Sequence, residues 1–359
     1  MTKNPHSDKQ IKSGLLISLF TILICFGLLE LIGYIWETKT AQGPLGWTLV
    51  GARRLKLEKN GSIEQPYYKF KPYENYNWEE IPVDINSLGF RNEEFSIQKP
   101  EDTYRILNVG DSVAFGWEVK IEDTYGKKLE QHLNEYSDKV QYEVINAGIP
   151  RGNLESARNF LVEEGLKYQP DLVILDVTVV NDIYGENPAV LEDRSLFQWL
   201  RDHTHGWPFL TTNVRFLLAN QVGPEAFPVL NPPKEASGYY PLNKDDEIWD
   251  RIWGFIEEMH QAAQEEEIDF IMIIFPTAYQ VNSADHPNTP QRVLIDRAVQ
   301  IDMKYIDLLP IYKMVCKDAD PAECDGYENL LFADVWMHPN VLGHQLAYEE
   351  LISTIESGK

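Results

Sequence analysis

Cysteine is scarce in this chain. Three in 359 residues are too few for a disulfide framework of the kind that staples small secreted domains. Cys25 lies inside an apolar run, while Cys316 and Cys324 flank the acidic loop CKDADPAEC. Around Pro321 that pair can close one bridge in an oxidising compartment or stand as two free thiols. A zinc site would need more ligands, and the neighbouring histidines lack the spacing. Neither metal nor cofactor is expected. Positive charge is also in short supply, with 32 Lys+Arg against 56 Asp+Glu and a formal net charge of −24. Such a surface repels phosphate backbones, which argues against nucleic acid as a partner. By itself it describes a solvated acidic surface and names no partner. Internal repeats and low-complexity tracts are absent as well. With a hydrophobic fraction of 43%, the chain is long enough to bury one large core or two smaller ones.

A long hydrophobic run is present. Residues 1–12 are polar and carry Lys3, Lys9 and Lys12, and Gly14–Trp36 is almost wholly apolar. At ~1.5 Å per residue this run makes a helix of roughly 34 Å, enough to cross a hydrocarbon core of about 30 Å. Lysines before the span favour a cytoplasmic N-terminus with the remainder on the outer, periplasmic or extracellular, side. Tyr34 and Trp36 fall where an interfacial aromatic belt would lie. Glu30 is the costly residue of the run, since a carboxylate in lipid must be protonated or find a partner. A cleaved signal peptide is the rival reading. The run is longer than an ordinary signal core, no Ala-x-Ala follows closely, and Ile24 before Cys25 is wrong for a lipoprotein site. The expected organisation is a tail (1–12), a transmembrane anchor (13–36), an extension packed on the catalytic domain (37–100) and that domain itself (101–359), with an insertion at 183–245.

The extension is rich in Tyr, Trp, Pro and Asn, and Pro82–Phe90 (PVDINSLGF) reads as a strand leading into a hairpin. From Tyr104 onward strands and helices alternate. Strands are expected at Arg105–Val109, Tyr142–Asn146, Asp171–Val179, Ile268–Phe275 and Lys304–Leu308, with Asp171–Val179 central. Helices are expected at Thr124–Tyr136, Leu154–Leu166, Asp246–Glu267, Gln291–Asp302 and Val341–Ile355. The insertion, broken by seven prolines between Pro188 and Pro241, reads as part helix and part loop. Alternation of this kind gives an α/β fold, a parallel sheet covered on both faces, with sites at the C-terminal ends of the strands.

At that edge stands Ser112, in RILNVGDSVAFGW, on a strand-to-helix turn beside backbone N–H groups able to receive an oxyanion. Gly-Asp-Ser is also an ordinary turn sequence, so a base is needed. Near the C-terminus, LFADVWMHPNVLG places Asp334 and His338 on one loop before the last helix, which Pro339 can open. A serine becomes a nucleophile at neutral pH when histidine takes its proton and a carboxylate holds the imidazole.

The order Gly-Asp-Ser, a Gly after the second strand, Asn-Asp after the third, then Asp-x-x-His resembles the GDSL/SGNH hydrolase family over about Tyr104 to Ile355. The INSLGF stretch is similar to membrane-anchored bacterial members. The resemblance implies a three-layer α/β/α sandwich (SGNH hydrolase, flavodoxin-like). It also implies Ser112 as nucleophile, His338 as base, Asp334 as its orienting partner, and an oxyanion hole of the Ser112 and Gly148 N–H groups with the Asn181 amide. Two departures stand out: Val179 occupies the usual glycine position of the third block, and the serine block GDSVAFG lacks the family's leucine.

These blocks suit a serine esterase acting on acyl, above all O-acetyl, esters of carbohydrate or other envelope substrates. They suit equally an O-acyltransferase that passes the acyl group to exported polysaccharide. A non-catalytic envelope-assembly or binding protein is the reading from another class, and the intact Ser112, Asn181 and His338 argue against it. Other motifs weigh less. His203-x-His205 is half of a metal site at best, Glu257-Glu258 and Glu265–Glu267 read as the solvated face of a helix, and Trp199, Trp207 and Phe209 suit the insertion's own core better than sugar stacking. The sequon at Asn60 has no meaning in a bacterial envelope.

Overall fold

The computed structural model describes residues 5–40, 57–62, 66–73, 75–78, 81–150, 152–179, 182, 200, 204–207, 209–210, 247–282, 288–318, 330–333 and 337–357. The chain divides into two units. Met1–Arg54 and Asp193–Pro232 form one, and Leu55–Glu192 with Pro233–Lys359 the other.

The larger unit is built on five parallel strands: β5 (Thr103–Gly110), β6 (Gln141–Gly148), β7 (Leu172–Thr178), β8 (Asp269–Phe275) and β9 (Lys304–Asp307). Their order is β6-β5-β7-β8-β9, so β7, the most apolar run, lies at the centre. Alternate residues face opposite layers, as the period of two requires. Leu107, Val109, Val173, Leu175, Val177, Met272 and Ile274 pack beneath α4 (Leu154–Glu163), α5 (Glu247–Glu265) and α7 (Thr289–Gln300). Ile106, Ile174, Ile271 and Ile273 face α3 (Tyr125–Glu135), α8 (Leu309–Asp318) and α9 (Val341–Ser357). The result is the three-layer α/β/α arrangement expected from the alternation.

Strand and helix bounds fall within a few residues of the sequence reading, with instructive exceptions. The helix expected to reach Leu166 ends at Glu163, and a 3₁₀ turn, Gly165–Tyr168, follows. Two short helices, α2 (Ser112–Phe115) and α6 (Ala278–Asn282), and α8 were not anticipated. Pro339 does not open the last helix. It bridges back to Phe332, and Asn340 caps α9 by accepting the N–H groups of Leu342 and Gly343.

Ahead of the sheet stand two antiparallel hairpins, β1 (Leu57–Gly61) with β2 (Pro66–Phe70) and β3 (Asn75–Trp78) with β4 (Ile81–Asp84). The strand expected at Pro82–Phe90 is thus the second arm of a hairpin and stops at Asp84, where Asn86 folds the chain by accepting from the N–H groups of Leu88 and Phe90. Beyond it Asn92 accepts from the Asn146 N–H and donates to the Val144 carbonyl, sharing the cover of the β6 edge with Glu130 and Asn134.

In the smaller unit α1 (Pro5–Thr40) includes Ile17–Trp36, long and apolar enough to cross a membrane. Its Glu30 carboxylate accepts the backbone N–H groups of His205 (2.8 Å) and Gly206 (3.0 Å). Tyr34 meets the His205 ring and Trp36 meets Phe209, both edge-on. Gly33 permits this approach, since a Cβ there would lie 2.2 Å from the His205 carbonyl oxygen. Cys25 is a free thiol, Cys316 is in a disulfide, and Cys324 lies outside the described residues.

Candidate active site

The serine turn forms because β5 ends at Gly110 against β7. A Cβ on Gly110 would lie 2.6 Å from the Asp176 Cβ and 2.9 Å from that of Ala114, so only glycine allows the two strands and α2 to meet there. Asp111 then caps α2, its Oδ1 accepting the Val113 N–H at 2.7 Å. Ser112 is the first residue of that helix and is 4% exposed. Among the described residues nothing accepts from its N–H.

His338, far away in sequence, is brought to the same edge by the short bridge between Phe332 and Pro339, and its carbonyl accepts the Ala333 N–H at 2.8 Å. Its Nε2 stands 2.8 Å from Ser112 Oγ. The serine hydroxyl and the imidazole are thus within hydrogen-bond reach, with the proton on Nδ1 when Nε2 accepts. The Trp117 ring lies against the imidazole at 5.9 Å. Asp334 and Asn181 lie outside the described residues.

Gly148 reaches this edge as the last residue of β6, paired with Gly110. Its N–H, however, donates to Asn146 Oδ1 at 3.0 Å, and its α-carbon packs on the backbone of Ala114 and Phe115. The amide expected to serve an oxyanion is therefore not presented to the site in this structure. Gly148 instead supports α2 from below. Beside it a crevice lined by Gly110, Ile149, Gly152 and Asn153 runs between the strand ends and α4.

Two supports escaped sequence reading. Arg91, buried in the extension, donates to the carbonyls of Phe115 (3.0 Å), Gly116 (2.7 Å) and Val119 (2.9 Å), holding the loop that leaves the serine helix. Burial lowers its pKa to about 10, against the opposing pull of Glu122 and Asp84. Its signal was a basic residue directly after an apolar turn, INSLGFR. The second support is acidic. Asp176 and Thr178 face α3 from β7, and burial first, then the Asp111 carboxylate, pushes the Asp176 acid well above the usual carboxylate range. Asp182 is displaced the same way by burial and by Asp111 and Asp176. An acid alternating with apolar residues inside DLVILDVTV was the available clue. Among the described residues no His/Cys/Asp/Glu group could hold a metal ion.

No family model matches the chain, and comparison with curated proteins gives no match. Solved structures similar to it include an acetyl xylan esterase, AlAXEase, with 16% identity, a TM-score of 0.45 and coverage of 70% of this chain and 99% of that one. Axe2, an acetylxylan esterase from Geobacillus stearothermophilus, is 14% identical with a TM-score of 0.44, covering 70% and 94%. A putative lipolytic protein of the G-D-S-L family from Desulfitobacterium hafniense DCB-2 is 16% identical with a TM-score of 0.39, covering 70% and 98%. The α/β/α architecture itself is read from the strand order and the two helical layers of this chain.

Proposed function

We propose that the chain is a serine esterase that cleaves small acyl esters, O-acetyl esters of envelope carbohydrate above all, through an acyl-enzyme. The observation that carries this reading is the 2.8 Å contact of Ser112 Oγ with His338 Nε2 at the C-terminal edge of the sheet. Ser112 Oγ attacks the ester carbonyl carbon as His338 Nε2 takes its proton. The tetrahedral intermediate collapses, and the departing alkoxide takes that proton from His338. Water, deprotonated by His338, then attacks the acyl carbonyl and releases the acid, and Ser112 regains its proton. The Ser112 N–H serves the oxyanion, with Asn181 as side-chain donor and Asp334 orienting the imidazole. The nearly buried serine and Trp117 favour a small acyl group. Ile17–Trp36 holds the protein in the membrane, with the N-terminus cytoplasmic and the catalytic domain outside.

The test uses the full chain in detergent. Release of acetate from acetylated oligosaccharide is measured beside Ser112→Ala and His338→Ala, together with covalent labelling by a fluorophosphonate. Each variant is expected to lose about 10³-fold or more of kcat, and the label to map to Ser112. Equal rates for wild type and Ser112→Ala would sink the reading. Acetyl transfer to added polysaccharide in place of acetate release would replace water by a sugar hydroxyl as the acceptor.

A further inference from the structure

Beneath the serine turn three carboxylates lie together out of solvent: Asp111 and Asp176 are each 1% exposed and Asp182 7%. Among the described residues neither Asp176 nor Asp182 forms an ion pair. Asp182 Oδ2 accepts the Thr178 N–H at 2.6 Å. Thr178 Oγ1 lies between two carboxylate oxygens, 3.1 Å from Asp111 Oδ1 and 3.2 Å from Asp176 Oδ1. A hydroxyl has one proton, so it either shares that proton weakly between the two oxygens or donates to one and accepts from a protonated carboxyl at the other. Asp111 Oδ1 already accepts the Val113 N–H and suits the anionic partner. Asp176 is the acid tucked directly under Gly110.

We propose that Asp176 is a positioning residue for Ser112. Held as a neutral acid, it donates to Thr178 Oγ1, Thr178 donates to Asp111, and the Asp111 carboxylate fixes the turn that carries the serine. The proposal rests on the esterase reading only for the serine's role. Of the groups facing Asp176, hydrogen bonds from Tyr125 and Thr178 favour its anion, but burial and then the Asp111 carboxylate outweigh them. Asp182 is itself held well above the usual carboxylate range by burial, and from α8 Tyr312 is buried and neutral. From α3 Tyr125 Oη stands 3.1 Å from Asp176 Oδ2 but lies closer, at 2.8 Å, to Asn108 Oδ1. His344 of α9, stacked on Tyr125, is kept uncharged by burial.

Two readouts test this on the full chain in detergent. The first is independent of activity: the infrared difference spectrum of wild type minus Asp176→Asn at neutral pH. A protonated-carboxyl C=O band shifting in heavy water is expected, and its absence overturns the proposal whether or not the protein turns over ester. The second compares kcat, KM and pH profile. Asp176→Asn, whose amide can donate to Thr178 as the acid does, should stay within about threefold of wild-type kcat and hold its activity further into the alkaline range. Asp176→Ala should lose about tenfold or more of kcat with little change in KM. Equal damage in both variants, with both folded, would overturn the positioning role.

Discussion

At the scale of single residues, buried groups beside the serine set how stability answers to pH. His344 is enclosed, stacked on Tyr125 at 5.6 Å, with Nδ1 accepting the Tyr125 N–H at 3.4 Å. Burial, then the charges of Arg91, His338 and Lys128, lowers its pKa to about 3. An unfolded histidine titrates near 6.5, so the folded state excludes a proton the unfolded state binds. Its contribution is complete above about pH 6.5 and is lost as pH falls, at up to ~1.4 kcal/mol per unit. Thermal unfolding between pH 7 and 5 should show a smaller fall for His344→Phe than for wild type. The neutral acid proposed at Asp176 has the opposite sign, because a raised carboxyl loses its contribution as pH rises. That Ser112 and His338 would meet was legible because Gly-Asp-Ser and Asp-x-x-His stand in a distinctive chain order. Asp176 was not, because one acid in an apolar strand carries no sign of which face it takes until Tyr125 and Thr178 are placed around it.

Among elements, the β1–β2 hairpin depends on one carboxylate. Glu164, at the end of α4, accepts from Tyr67 (2.5 Å) and Lys69 (2.6 Å) of β2 and from Tyr168. Burial alone would raise its pKa, but the hydrogen bonds from Lys69, Tyr168 and Tyr67 outweigh it and the pKa is lowered. The associated stability is present above about pH 4.3, the unfolded value, and is lost as pH falls below it. Glu164→Gln should cost about 2 kcal/mol at pH 7 in chemical denaturation and flatten the acid limb, since charge-assisted bonds are being removed. The hairpins themselves, LEKNG and NYNW among them, were hard to read because polar residues stand where strand alternation would show. The five sheet strands were legible because burial on both faces leaves a continuous apolar run. Asn340 displaced Pro339 as the opener of α9 because its side chain satisfies two of the helix's unpaired N–H groups.

For the molecule as a whole, α1 carries more than hydrophobic length. Its awkward residue, Glu30, finds its partner in the chain's own backbone at His205 and Gly206. The sequence showed the cost of that carboxylate but not the remedy, which lies 175 residues away and uses no distinctive side chain. Glu30→Leu removes the acceptor, and Gly33→Leu fills the space against the His205 carbonyl. Hydrogen exchange of the His205 and Gly206 amides in the detergent-solubilised protein should quicken about tenfold or more in both variants. Unchanged protection would show that the contact contributes little. The two backbone donors thus give the leading helix a structural role beside its apolar length. A cut behind Trp36 would strip those amides of their acceptor and part the His205 and Phe209 rings from Tyr34 and Trp36. The protection of these two amides therefore reports whether the leading helix is still joined to the chain.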